Sequence, residues 1–134
     1  MKRSIIYLDD DISCLRIFQE TFGDDYEVRI ATTPTEAHVL LFARPADIVI
    51  SDQLMPEIKG TEFLRQVAAQ YPASYRVLLT GGVVVGNVVH EVGMGIVHLF
   101  VPKPWTEQSI RQMLERASIH RESRGRSAPG ARSK

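Results

Sequence analysis

Four short strings in this sequence carry side chains suited to phosphate or metal chemistry: Asp9-Asp10-Asp11, Ser51-Asp52, Thr80-Gly81-Gly82 and Lys103-Pro104. Carboxylates held within ~4–6 Å of one another repel, and at least one keeps a proton unless a cation intervenes. A hard divalent ion with oxygen ligands resolves the conflict. Mg²⁺ is the usual one where phosphate is handled, and it takes only one or two carboxylates while keeping water elsewhere. An aspartate oxygen is then left to attack phosphorus, with a lysine ammonium and a threonine hydroxyl to receive the phosphoryl oxygens. Singly, each string has an ordinary explanation. An acidic triplet is most often a solvated turn or a helix cap, and Asp11 fits as the cap of the following helix. A lone aspartate after a strand, or a lysine before proline, is most often structural. The chemistry depends on whether the fold brings the strings together.

Hydrophobic periodicity supplies the elements that would do so. Ser4 to Leu8 reads as a buried strand, and Ile12, Leu15, Phe18 and Phe22 then recur at helical spacing up to Gly23. Tyr26, Val28 and Ile30 alternate as a second strand. Thr33-Pro34-Thr35-Glu36 starts a helix, with Thr33 as N-cap, Pro34 at the first helical position and Glu36 completing a capping box. That helix turns Ala37, Leu40 and Leu41 inward and ends before Pro45. Ile48 to Ile50 is apolar on both faces, as a central parallel strand should be. A loop with Pro56 and Gly60 leads to a helix carrying Phe63, Leu64 and Val67. Arg76–Leu79 and Ile96–Val101 read as strands four and five. Thr106 caps a last helix with Ile110, Met113, Leu114 and Ala117 on one stripe. The valine-rich stretch Val83–Val92 has poor helix propensity. A right-handed crossover between parallel strands nevertheless needs about a dozen residues, so the fourth helix is placed there.

Five β-α units predict an open, doubly wound α/β fold with a parallel sheet. Ligands in such folds bind at the carboxyl ends of the strands, near a switch in strand order. All four strings fall there, after strands one, three, four and five.

A chain of 134 residues, 44% hydrophobic and 24% charged, suits one globular domain. Its single Cys14 excludes an internal disulfide framework and a cysteine-built zinc site. No apolar run approaches the ~20 residues of a membrane span, and the start does not read as a signal peptide, so a cytoplasmic location without membrane contact is expected. The formal net charge is zero, but residues 1–117 carry 11 Lys+Arg against 15 Asp+Glu and residues 118–134 carry 5 against 1. An acidic body argues against direct nucleic-acid binding by this domain. Residues 1–119 are expected to form the domain, and 120–134 a basic, Arg/Ser-rich tail or flexible linker.

The strings resemble the receiver (response-regulator) domain of bacterial two-component signalling over residues 3–117. The motifs are Ile5-Ile6-Tyr7-Leu8-Asp9-Asp10-Asp11, Ser51-Asp52-Gln53-Leu54-Met55-Pro56 with Gly60 beyond, Leu78-Leu79-Thr80-Gly81, and Lys103-Pro104. The resemblance implies a flavodoxin-like five-stranded sheet of order 2-1-3-4-5. It implies Asp52 as phosphoacceptor from the phosphohistidine of a sensor histidine kinase or phosphotransfer protein. It also implies Mg²⁺ (or Mn²⁺) on Asp10, Asp52 and the Leu54 carbonyl, with Asp9 acting through water. Lys103 and Thr80 would contact the phosphoryl group, Phe100 would be the switch aromatic, Gly60 structural, and the peptide before Pro104 cis. The responsive face would be that of the fourth helix, fifth strand and fifth helix, used for a partner, an output domain or a homodimer.

By the resemblance, the positions two beyond Asp52 and two beyond Thr80 flank the phosphoryl group and affect how a hydrolytic water is placed. Leu54 and Gly82 offer nothing to orient a hydrolytic water, which predicts slow self-dephosphorylation. Gly81 to Gly86 lacks the Lys-Ser/Thr of a phosphate loop. His38, His90, His98 and His120 share no ligand spacing, and Trp105 reads as surface packing at the start of the last helix. The pairing of Lys103-Pro104-Trp105 with Leu79-Thr80-Gly81 looks like receivers fused to transcriptional activators or HD-GYP phosphodiesterases. Two other functions are compatible with these residue types: a degenerate receiver acting as a phosphorylation-independent interaction module, and a Mg²⁺-dependent aspartyl-phosphate phosphatase. Such a phosphatase places its nucleophile in an Asp-x-Asp after strand one and needs a cap for substrate, whereas here the nucleophile candidate Asp52 follows strand three and no cap insertion exists.

Overall fold

The computed structural model describes residues 2–81 and 94–132, with side chains as far as residue 120. The fourth helix expected at Val83–Val92, and Gly82, lie outside the described residues. In order the elements are β1 (Ser4–Leu8), α1 (Ile12–Phe22), β2 (Glu27–Ala31), α2 (Pro34–Ala43), β3 (Ile48–Asp52), α3 (Gly60–Gln70), β4 (Tyr75–Thr80), β5 (Leu99–Pro102) and a C-terminal helix, Glu107–Arg132. The strands form one parallel sheet of order β2-β1-β3-β4-β5. The switch in order lies between β1 and β3, whose carboxyl ends carry the acidic strings.

Alternation along the strands divides the core in two. Ile5, Tyr7, Ile48, Ile50, Val77 and Leu79 face α1 and the C-terminal helix, where they meet Leu15, Phe18, Phe22, Ile110, Met113 and Leu114. Ile6, Leu8, Val49 and Leu78 face α2 and α3, meeting Leu41, Phe63, Leu64 and Val67. β1, β3 and β4 are buried at every position, as strands covered on both faces must be.

Several expectations are corrected. Ile12 opens α1 but is 42% exposed, so the inward stripe is Leu15, Phe18 and Phe22. Glu36 reaches the N–H of Thr32 at 2.7 Å rather than that of Thr33, while Thr33 Oγ1 accepts from Glu36 N as a cap should. β5 begins at Leu99, not Ile96. The chain turns at Gly95 (φ +80°), and His98 Nδ1 accepts the Arg76 N–H at 2.9 Å where a strand carbonyl would otherwise sit. The ladder therefore starts at Leu99, the residue after His98. Apart from these corrections, the C-terminal helix is continuous from Glu107 to Arg132, as an extension beyond Ile119 would be. No helix among the described residues is long and apolar enough to cross a membrane.

Candidate functional site

Asp9 follows directly on β1 with its N–H on the Ala31 carbonyl at 3.1 Å, so it points to the same face as Tyr7, two residues before it. Asp9 is fully buried. Its Oδ2 accepts from the Tyr7 hydroxyl at 2.8 Å and its Oδ1 from the Asp11 N–H at 2.9 Å. A carboxylate with both oxygens engaged by fixed donors has one orientation. Asp10, next along the chain, is exposed. Asp11 caps α1, accepting from the N–H groups of Ser13 and Cys14, and those bonds hold its carboxyl below the usual range.

Asp52 ends β3 and is 6% exposed. The loop that follows is tied down by Gln53. Its N–H reaches Leu79 O at 3.0 Å, its carbonyl accepts from Gly60 N at 2.9 Å, and its side-chain Oε1 accepts from Thr61 N at 2.9 Å. Gln53 thus caps α3 from a distance, because Lys59 at the N-cap position makes no side-chain cap. Gly60 is required by space: a Cβ there would stand within 3 Å of both the Asp52 carbonyl oxygen and Leu78 Cδ1. Leu54 projects from this loop, 69% exposed, beside a shallow depression lined by Asp10, Met55, Pro56 and Lys59.

Lys103 enters from the end of β5. Its Nζ lies 3.3 Å from Asp9 Oδ2 and 3.3 Å from Asp52 Oδ1, and its N–H donates to Thr80 O at 2.7 Å. The Lys103–Pro104 peptide is cis. Thr80, buried at the end of β4, and Phe100, half-buried opposite Leu78, share the face of the sheet that carries the second core. Asp9, Asp10 and Asp52 each place one carboxylate oxygen within 4.8 Å of the others.

Three carboxylates around one ammonium leave an excess of negative charge. Burial raises the Asp52 carboxyl above its ordinary value, and the Asp9 charge adds to the rise, against the opposing pull of Lys103. For Lys103, burial alone would lower the ammonium, but Asp9 and Asp52 outweigh it and the net shift is upward. A compact set of hard oxygen donors with unbalanced negative charge fits a small divalent cation.

The response regulator receiver domain family matches residues 5–115. The chain belongs to that family. Among curated relatives, this receiver is 24% identical over 116 residues to the hydrogenase transcriptional regulatory protein HoxA of Cupriavidus necator, covering 84% of this chain and 24% of the relative. It is 30% identical over 119 residues to the C4-dicarboxylate transport transcriptional regulatory protein DctD of Rhizobium meliloti, covering 88% and 26%. The chain thus spans about a quarter of the length of these regulators. Among solved structures it is similar to the signal receiver domain of an HD domain-containing protein from Pseudomonas fluorescens Pf-5. That match has a TM-score of 0.83 and 28% identity, covering 92% of this chain and 99% of the other.

Three features of the receiver escape a motif reading. Tyr7 lies in a run whose pattern marks it as strand core, and only its i, i+2 spacing to Asp9 hints at the hydrogen bond between them. The remote cap made by Gln53 had no signal beyond the poor capping residue Lys59. Trp105, expected on the surface, is half-buried, with its ring 5.6 Å from Phe18 and 6.3 Å from Phe22. Aromatic residues on α1 attract it there, and no local pattern encodes that pairing.

Proposed function

We propose that this receiver accepts a phosphoryl group on Asp52 from the phosphohistidine of a sensor histidine kinase or phosphotransfer protein, and thereby controls a partner or output domain. The observation that carries the reading is the position of Lys103 Nζ, equidistant from Asp9 and Asp52 in a cluster with more carboxylates than cations. Asp52, Asp10 and the Leu54 carbonyl would hold Mg²⁺, with Asp9 acting through water. Bound there, the ion would supply charge neutralisation for the phosphoryl oxygens.

The remaining work falls to the protein. Gln53 and Gly60 fix the backbone around Asp52, so its carboxylate is presented in one place. One Asp52 oxygen forms the bond to phosphorus as the P–N bond to imidazole breaks, and the bonding pair leaves with the imidazole nitrogen. Lys103 Nζ, already midway between two anions, moves onto a phosphoryl oxygen. The new group adds nearly two negative charges. Thr80 turns its hydroxyl toward them, and Phe100, on the same face of the sheet, takes the space released.

The test is acetyl phosphate with and without Mg²⁺, read by intact mass and size exclusion. Wild type should gain one phosphoryl mass only with Mg²⁺. Asp52→Asn should fold and gain none; equal labelling of that variant would overturn the assignment.

A further inference from the structure

Asp9 Oδ2 is a shared acceptor. It takes the Tyr7 hydroxyl at 2.8 Å and the Lys103 ammonium at 3.3 Å. The Tyr7 ring meets the Phe18 ring edge-on, centroids 4.9 Å apart, and Phe18 meets Trp105 edge-on at 5.6 Å. Lys103 and Trp105 are separated only by Pro104 and lead into the C-terminal helix. The same short segment therefore connects to Asp9 twice, directly through Lys103 and indirectly through Trp105, Phe18 and Tyr7. All of these rings belong to the core layer between the sheet and α1, whereas Phe100 packs into the layer on the other side.

We propose that Tyr7 is a positioning residue that transmits the state of the acidic cluster to Trp105 and the start of the C-terminal helix, by a route separate from Thr80 and Phe100. The proposal rests on the reading of Asp52 as phosphoacceptor. A phosphoryl group offers Lys103 new anionic oxygens, and its hold on Asp9 Oδ2 weakens. Tyr7 is then the remaining described donor to that oxygen. A buried carboxylate deprived of its cation draws closer on the hydroxyl that is left. The Tyr7 ring moves with its hydroxyl, and the edge-to-face contacts carry the shift through Phe18 to Trp105, because a close-packed core has no slack to absorb it.

Trp105 is the chain's single tryptophan, so its emission reports this segment, and comparison with Tyr7→Phe separates the Tyr7 route from the direct one through Lys103. Wild type and Tyr7→Phe are treated with acetyl phosphate and Mg²⁺, with emission and intact mass read on the same samples. Tyr7→Phe keeps the ring on Phe18 and removes only the hydroxyl. The expected result is a change in wild-type emission on phosphorylation that is lost in Tyr7→Phe, although the variant gains the phosphoryl mass. An undiminished change in the variant overturns the proposal, as does a wild type that gains mass without any emission change. A variant that gains no mass overturns it too, since Tyr7 would then act on the chemistry and not on its transmission. A wild type that gains no mass overturns the phosphoacceptor reading itself. Hydrogen exchange on the wild type needs no variant: protection of the Ile110 N–H, bonded to Thr106 O at 3.0 Å, should change on phosphorylation, and constancy there counts against the route.

Discussion

The receiver sets one cation at each end of its parallel sheet, Arg76 buried and Lys103 half-buried, and it treats them differently. Arg76, at the amino end of β4, is 4% exposed and lays its guanidinium across the carbonyl oxygens of Ser74 (2.9 Å), Gly95 (3.0 Å) and Ile96 (2.7 Å), with the Ser74 hydroxyl at 3.0 Å. Lys103, at the carboxyl end, keeps a quarter of its side chain exposed and touches two carboxylates at 3.3 Å each. A planar fork saturated by fixed oxygens has one arrangement. A point charge on a flexible stem, shared between two anions at slightly long distances, can move from one to another. The Arg76 end is built to hold still, and the Lys103 end leaves its cation free to shift between anions.

The contrast is sharpened first by removing the mobile cation. Lys103→Met should slow labelling by acetyl phosphate by about 10²-fold, as loss of one charge stabiliser does, with no comparable loss of stability. In divalent-free buffer the raised Asp52 carboxyl holds its proton to a higher pH in the folded state than in the unfolded one. Wild-type stability should therefore fall as pH climbs from the ordinary carboxylate range through the raised value, and denaturant melts of Asp52→Asn should lack that component.

Arg76→Met should invert the outcome. Stranding several buried carbonyls should cost about 2–3 kcal/mol in a denaturant melt, while the folded protein still labels at the wild-type rate. Equal losses of labelling in the two cation variants would erase the distinction between the ends. Gly60→Ala tests whether the site's backbone is as tightly placed as the cations suggest. Its Cβ would press on the Asp52 carbonyl, costing about 1–3 kcal/mol and slowing labelling together. Gln53→Ala should show the smallest effect, about 1 kcal/mol from the lost cap on α3, read as a shift in denaturation midpoint.

Much of this was legible from local pattern. Asp9, Asp10, Asp52, Thr80 and Lys103 could be placed at one edge because the strands before them are short apolar runs, and parallel strands bring their carboxyl ends together. The less legible features were those set by contacts distant in sequence. The start of β5 depends on an imidazole, His98, substituting for a backbone acceptor opposite Arg76. The exposure of Ile12 depends on where α1 meets the sheet, not on its spacing. Gly60 could be marked as a structural position, but the atom it must avoid belongs to Asp52, eight residues earlier.

The sequence by itself determined the alternation of strands and helices, the two-layer core and the set of groups available for phosphate chemistry. These follow from periodicities of two and 3.6 and from side-chain type, which are properties of short segments. Only the tertiary structure decided that Lys103 sits between Asp9 and Asp52, that both Asp9 oxygens are already held, and that Trp105 is joined to Tyr7 through Phe18. Those relations join residues up to 94 positions apart, and their geometry is set by the packing of whole elements against one another rather than by any local preference.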